Sequence, residues 1–184
     1  SCNNLHEADL TIDDMKLIGR GYYRNVWITE DGKAVIKTQS LNHGFGTMSY
    51  EHQRTDAMIM EKLTASPIIV DIFGHCGNTV STEAVPNEVY KEMIRGNGMT
   101  TMAKHLSGKS PKTRNNLNPH EKLVLALELA ETLAELHGYI GGVMVHDDVQ
   151  PYQWLRAENG VLKLNDFNRA EVMFYNNSTE KYCR

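Results

Sequence analysis

Two stretches decide how this chain is read: Val145-His146-Asp147-Asp148-Val149-Gln150-Pro151-Tyr152-Gln153-Trp154-Leu155, and a few residues later Leu162-Lys163-Leu164-Asn165-Asp166-Phe167-Asn168. Each places a carboxylate in a loop beside a short apolar run. Apolar runs of three or four residues bounded by polar turns read as short strands, here Val143–Val145 and Val161–Leu164. Asp148 and Asp166 are therefore expected on loops after short strands, where loops can present them to a ligand.

Immediately upstream lies the clearest helix signal in the chain. Asn118 suits the N-cap, Pro119 the first helical position, and Glu121 stands three residues after the cap. Leu123, Leu127, Ala130, Leu133 and His137 recur at helical spacing, and Gly138 is a stop signal. Further back, the composition changes to strand-like segments. Asn25–Thr29 and Ala34–Lys37 flank Glu30-Asp31-Gly32-Lys33, whose Asp-Gly pair signals a hairpin. Ser49–Leu63 reads as a helix with Ile59, Met60 and Leu63 on one side, and Ile68–Phe73 and Thr79–Val85 as two more strands. Residues 86–118 are polar and locally basic (Lys104, Lys109, Lys112, Arg114), with a short helix expected at Met99–Leu106. A strand-rich first half with one helix, followed by a helical part, suggests two lobes with a cleft between them.

The first half carries its own chemical motif, Gly19-Arg20-Gly21-Tyr22-Tyr23-Arg24-Asn25-Val26. Glycines in a strand-turn-strand let backbone N–H groups approach phosphate oxygens. Ala34-Val35-Ile36-Lys37 follows at the distance of the next strand, and a lysine ending an apolar strand can project its ammonium into a cleft.

In this order the motifs resemble those of protein kinases: a glycine-rich loop, a strand lysine, a long helix, a His-x-Asp loop with an amide residue five positions on, and Asp-Phe. The resemblance runs from about Leu17 to the C-terminus. It implies an α+β, two-lobed protein-kinase-like fold, with an antiparallel β-sheet N-lobe containing one helix and a partial, mainly helical C-lobe. The implied organisation is a lead-in at 1–16, an N-lobe at 17–85, and at 86–184 a segment after the hinge leading into the partial C-lobe. The expected end of the activation segment would lie beyond Arg184. The first residue is not Met, so the natural N-terminus is expected upstream.

The resemblance also implies roles. Lys37 would contact the α- and β-phosphates of ATP, Asp148 would orient the substrate hydroxyl and accept its proton, and Asp166 would bind Mg²⁺. Gln153 would be a second metal ligand. Gly19 and Gly21 would line the phosphates, with Val26 and Ala34 in the adenine pocket. The hinge would run through Thr82–Val85, including Glu83 and Val85, with Lys91–Met93 as a second register. Asp56 aligns with the helix acid that pairs with the lysine, with Glu51 and Glu61 as nearby alternatives.

Departures from the kinase pattern are equally specific. Arg24 stands at the third glycine position, stiffening the loop and offering a cation to phosphate. Asp147 replaces the arginine that holds a phosphorylated activation loop. Gln150 replaces a basic residue, and no Lys or Arg occurs from 146 to 155. Gln153 replaces Asn, one methylene longer. Asn168 replaces Gly, and Asn tolerates positive φ. His146 is expected to support the loop backbone.

Composition excludes little but bounds the rest. The 184 residues are 41% hydrophobic and 23% charged, and the net charge of −4 gives no general attraction to nucleic acid or anionic membrane. Three widely spaced cysteines suggest no disulfide framework and hence a reducing compartment. No apolar run approaches a membrane span within this segment. The expectation is a cytoplasmic domain, or one on the cytoplasmic side of a membrane, using ATP and Mg²⁺ on a protein substrate. A pseudokinase scaffold and a small-molecule phosphotransferase of kinase-like fold are the alternatives.

Overall fold

The computed structural model describes residues 15–42, 46–93 and 117–183. The expected helix at Met99–Leu106 and the basic cluster at 104–114 lie outside them. The first part is a five-stranded sheet with one helix. Strands β1 (Met15–Arg20), β2 (Arg24–Thr29), β3 (Ala34–Gln39), β4 (Ile72–Cys76) and β5 (Thr79–Glu83) are arranged in the order β1-β2-β3-β5-β4, every pair antiparallel. The turn between β2 and β3 forms as its Asp-Gly pair requires. Gly32 takes φ +70°, a conformation open to glycine, and its N–H donates to the Thr29 carbonyl at 2.9 Å. The Asp31 carboxylate accepts from the Thr29 hydroxyl and the Lys33 N–H, which holds its pKa below the usual value.

Helix α1 (Thr47–Leu63) links β3 to β4 and buries Gln53, Asp56, Ala57, Ile59, Met60 and Leu63. Ile59, Met60 and Leu63 belong to one core with Ile69, Val70, Leu136, Met144, Trp154, Leu164 and Phe167, so the two parts of the chain share a core. The expected strand at Ile68–Phe73 divides between two partners. Leu164 N–H donates to the Ile68 carbonyl at 2.9 Å and Val70 N–H to the Leu164 carbonyl at 3.0 Å, while Ile72 onward pairs with β5. A periodic apolar run cannot say which neighbour takes each half of it. The division matters, because it anchors the residue just before Asn165-Asp166 beneath the sheet.

The described residues of the second part are less helical than expected. Among its described residues are a four-residue helix α2 (Tyr90–Met93) and a 19-residue helix α3 (Pro119–His137). Six short strands accompany them: β6 (Asn87–Glu88), β7 (Val143–Val145), β8 (Trp154–Arg156), β9 (Leu162–Leu164), β10 (Glu171–Asn176) and β11 (Lys181–Cys183). They form two three-stranded sheets, β6-β8-β9 and β7-β10-β11. Strands β6 to β9 and β11, of two or three residues each, are too short for alternation to show, and the six-residue β10 forms beyond the strands expected from the sequence. A single 3₁₀ turn at Pro151–Gln153 joins the Asp148 loop to β8.

Helix α3 starts as its sequence dictates. Asn118 Oδ1 accepts from the Glu121 N–H at 3.0 Å, and Glu121 returns a carboxylate to the Asn118 N–H at 2.6 Å. Its buried face is a different stripe from the expected one. Leu125, Thr132 and Leu136 are buried, whereas Leu123 and Leu127 are exposed. A Leu-rich helix offers two apolar stripes, and tertiary packing selects one. Thr132 belongs to the buried stripe because its hydroxyl accepts the Trp154 indole N–H at 2.7 Å and donates to the Leu129 carbonyl at 2.8 Å.

Cys76 on β4 is disulfide-bonded, contrary to the cysteine spacing, because distance along the chain does not report distance in space. Among the described residues, no helix is long and apolar enough to cross a membrane.

Replacing Asn118 with Ala removes the reciprocal cap and is expected to cost about 1 kcal/mol of stability, while Asn118→Asp, which keeps the acceptor, stays close to the parent. Urea unfolding of the three proteins at neutral pH measures both.

Candidate functional site

The site is assembled from the inner face of β2–β3, helix α1 and the loops that follow β7 and β9. Strand register explains which side chains enter it. Arg24 lies opposite Gln39 and Val26 opposite Lys37. Directly paired residues project to the same side of a sheet, and alternate residues share a face. Arg24, Val26, Lys37 and Gln39 therefore share one face. The same register turns Arg24 inward. A side chain expected on a phosphate loop is instead 6% exposed.

Arg24 holds two carboxylates. Its Nη1 donates to Asp56 Oδ2 and its Nη2 to Asp166 Oδ1. Asp56 is completely buried in α1. Its other oxygen accepts the Phe167 backbone N–H at 2.7 Å, and Lys37 Nζ lies 3.8 Å away. Of the three acids on α1, it is Asp56 that lies against Lys37. Glu51 pairs with Arg54 on the surface, and Glu61 lies 3.2 Å from His75. Lys37 also donates to Asn165 Oδ1 at 2.8 Å. The cluster thus contains two cations, Arg24 and Lys37, and two carboxylates, Asp56 and Asp166.

Burial opposes charge on Arg24, Lys37 and Asp56, and the balance with their partners differs among the three. Burial would lower the Arg24 pKa, but the two carboxylates raise it well above its ordinary value. Burial pushes the Lys37 ammonium down, only partly offset by Asp56. Burial would raise Asp56. The charges of Arg24 and Lys37, with the hydrogen bonds from Arg24 and Phe167, hold it down to about 2.

The loop carrying Asp148 is closed by amides. Gln150 Nε2 donates to Asp148 Oδ1, and Gln153 Nε2 donates to Asp148 Oδ2 at 2.9 Å. Asp147 takes φ +54° and faces Arg169 at 3.6 Å on the surface. His146 is buried, its Nε2 is 3.0 Å from the Asn165 carbonyl, and its ring lies 5.2 Å from that of Phe167. Asn165 N–H donates to the Gln153 carbonyl at 2.8 Å. Asn165 therefore connects Lys37, the Asp148 loop and the Asp166 loop. Sequence reading passed over Asn165, and its position between a buried Leu and the motif Asp was the signal available. Within Asp166-Phe167-Asn168, the left-handed residue is Asp166 at φ +63°, not Asn168, whose side-chain oxygen is buried without a partner.

Other expected site residues are placed less openly. Gly21 N–H closes the β1–β2 turn onto the Arg24 carbonyl at 2.7 Å, so it is not directed at a ligand. Gly19 packs against Val26, where an added Cβ would come to 3.6 Å. Ala34 lies opposite Glu83 across β3–β5. Glu83 is held within the framework: its N–H donates to the Asp71 carbonyl at 3.0 Å, and its carboxylate accepts from the Asp71 N–H and from Lys163. Val85 packs against the core. In the second hinge register, Lys91 pairs with Glu88 at 2.5 Å, and Met93 borders the core.

Asp166 and Gln153 are the residues a divalent metal would need. Magnesium is held by one or two carboxylates together with substrate phosphates, so Asp166 is the donor that matters. Its Oδ1 is engaged by a guanidinium, and the Gln153 amide nitrogen is engaged by Asp148. Among the described residues, no group of three or more His, Cys, Asp or Glu side chains is arranged to hold a metal. In this arrangement the donor set does not fit a divalent ion.

No family model matches the chain. Over 176 residues it is 28% identical to wall-associated receptor kinase 5 of Arabidopsis thaliana, a match covering 92% of this chain and 22% of that protein. It is 27% identical over 173 residues to wall-associated receptor kinase 3 of the same plant, covering 92% and 21%. The chain thus spans about a fifth of the length of the curated relatives it matches. This weak similarity, with an α+β fold built on an antiparallel sheet, supports a kinase-like relationship.

The Asp56 contacts set an acid limit on stability. Its folded pKa of about 2 lies below the unfolded value of about 3.9. Its contribution is therefore complete above about pH 4 and is lost as pH falls toward 2. Asp56→Asn is expected to destabilise the protein by about 3–5 kcal/mol at pH 7, because it leaves buried cations short of a partner. The same variant should lose less stability than the parent between pH 4 and pH 2. Urea midpoints stepped down in pH measure both.

Proposed function

We propose that this chain carries the nucleotide-binding part of a kinase-like phosphotransferase that moves the γ-phosphoryl group of ATP to a protein hydroxyl. The observation that carries the reading is the cluster of Lys37, Asp56 and Asp166 around Arg24, with the Asp148 loop joined to it through Asn165. Asn165 makes that link through Lys37 Nζ at 2.8 Å and the Gln153 carbonyl at 2.8 Å. Phosphoryl transfer asks little covalent chemistry of a protein and depends on positioning and charge.

On this reading Lys37 binds phosphate oxygens, with Asp56 and Asn165 fixing its direction. The Asp148 carboxylate, held between the Gln150 and Gln153 amides, orients the acceptor hydroxyl and takes its proton. Those amides hold the carboxylate without neutralising it, as a lysine in the same place would. The protein hydroxyl and ATP are expectations drawn from the kinase-like motifs and the similarity to receptor kinases.

A second reading, a scaffold that binds nucleotide or a partner without transfer, is favoured by the same loop. Among the described residues the Asp148 carboxylate is held by two neutral amides and by no ion pair that could offset charge on a transferring phosphoryl group, and Asp166 is engaged by Arg24. Radiolabelled ATP distinguishes the two. Transfer to the protein itself or to a generic protein substrate should fall by about 10²–10⁴-fold in Asp148→Asn, the usual contribution of a general base. Labelling that survives this substitution removes Asp148 from the reaction. Absence of labelling in the parent, together with an ATP-induced rise in its melting temperature, selects the scaffold.

Binding is tested apart from transfer. The ATP-induced rise in melting temperature is expected to be largely abolished in Lys37→Ala. An equal rise in parent and variant would remove Lys37 from the phosphate contacts.

A further inference from the structure

We propose that the Arg24 guanidinium is the resident cation of this site, standing where a divalent metal would stand at Asp166, so that the site binds the phosphates of a nucleoside triphosphate without metal. The inference rests on the nucleotide-binding reading above and deepens it.

The first support is geometric. Arg24 is placed by strand register, not by a mobile loop: it lies opposite Gln39, with Val26 opposite Lys37 two residues on. Its guanidinium donates from separate nitrogens to Asp56 and Asp166. A planar fork of donors suits this bridging, and a lysine ammonium could not span the pair in the same way. The turn that leads into it is closed by the Gly21 N–H on the Arg24 carbonyl and the Ser40 N–H on the Tyr23 carbonyl.

The second support is charge. Asp166 would repel a polyphosphate unless a cation neutralised it. In this site a permanently charged guanidinium already does so. A divalent ion at Asp166 would come against that guanidinium, like charge facing like charge in a buried setting. Moving Arg24 aside would strip the completely buried Asp56 of its direct ion-pair partner, leaving Lys37 at 3.8 Å. Arg24 thus serves Asp56 and Asp166 together, and an incoming metal could replace it only at Asp166.

Phosphate would therefore meet Lys37 and a neutralised Asp166, with metal unnecessary for charge balance.

The test is calorimetric titration of the intact protein with sodium ATP, once with EDTA and once with excess Mg²⁺. It is paired with a titration by Mn²⁺ alone, read by electron paramagnetic resonance. The expected result is an ATP dissociation constant that differs by less than about threefold between the two conditions, with no stoichiometric Mn²⁺ site. Loss of ATP affinity by tenfold or more in EDTA overturns the proposal. So does one bound Mn²⁺ per chain that disappears in Asp166→Asn. Failure to bind ATP in either condition overturns the nucleotide-binding reading itself, and this proposal with it. Arg24→Ala is expected to gain the Mn²⁺ site and a tenfold or greater dependence of ATP affinity on Mg²⁺. Arg24→Lys keeps one charge near Asp56 and is expected to give an intermediate dependence. The measurements on the unaltered protein decide the question even if Arg24→Ala does not fold.

Discussion

The carboxylate of Asp56 lies fully buried on α1 and is surrounded by groups from three other places in the chain. Arg24 reaches it from β2, Lys37 from β3, and the Phe167 N–H from the loop after β9. A buried charge is costly unless paired and hydrogen-bonded, and here both oxygens are used. The positions of α1, the sheet and the Asp166 loop are therefore coupled. Moving any one of them would leave an unpaired charge inside the protein. That constraint, more than any single apolar contact, determines where the site residues stand.

Phe167 and His146 extend the same constraint into the core. The Phe167 ring is completely buried while its N–H is held by Asp56, so the residue is fixed at both ends. His146 packs beside it and bonds to the Asn165 carbonyl. The loops bearing Asp148 and Asp166 are thereby joined at their bases. Asn165 completes the link to Lys37. The site is preorganised because its supporting contacts are made in the interior, where water does not compete for them.

The same arrangement explains how the departures from a kinase-like pattern act together. Arg24 would be an intrusion if Asp166 had to keep both oxygens open for a metal. It is held by Asp56 and Asp166 together, with the Lys37 ammonium 3.8 Å from the same Asp56 carboxylate. Gln150 likewise supplies a neutral donor where the kinase-like pattern has a basic residue, and Gln153 supplies one where that pattern has Asn. These substitutions lie on separate segments, yet they bear on one charge balance.

Much of this was legible in the chain itself. The resemblance of the motif order to that of kinases pointed to Lys37, Asp148 and Asp166, and local chemistry determined the Asn118–Glu121 cap of α3, the Asp31-Gly32 turn and the buried Ile59, Met60 and Leu63 of α1. These depend on neighbours a few residues apart, so patterns of spacing report them. Tertiary structure decided what spacing cannot express. It chose Leu125 and Leu136 over Leu123 and Leu127 as the inner face of α3, divided Ile68–Phe73 between two partners, made strands of the polar tail, and paired Cys76 in a disulfide. Above all, it turned Arg24 inward between Asp56 and Asp166. That outcome depends on the β2–β3 register and on carboxylates 32 and 142 residues away in the chain, a distance over which sequence pattern carries no signal.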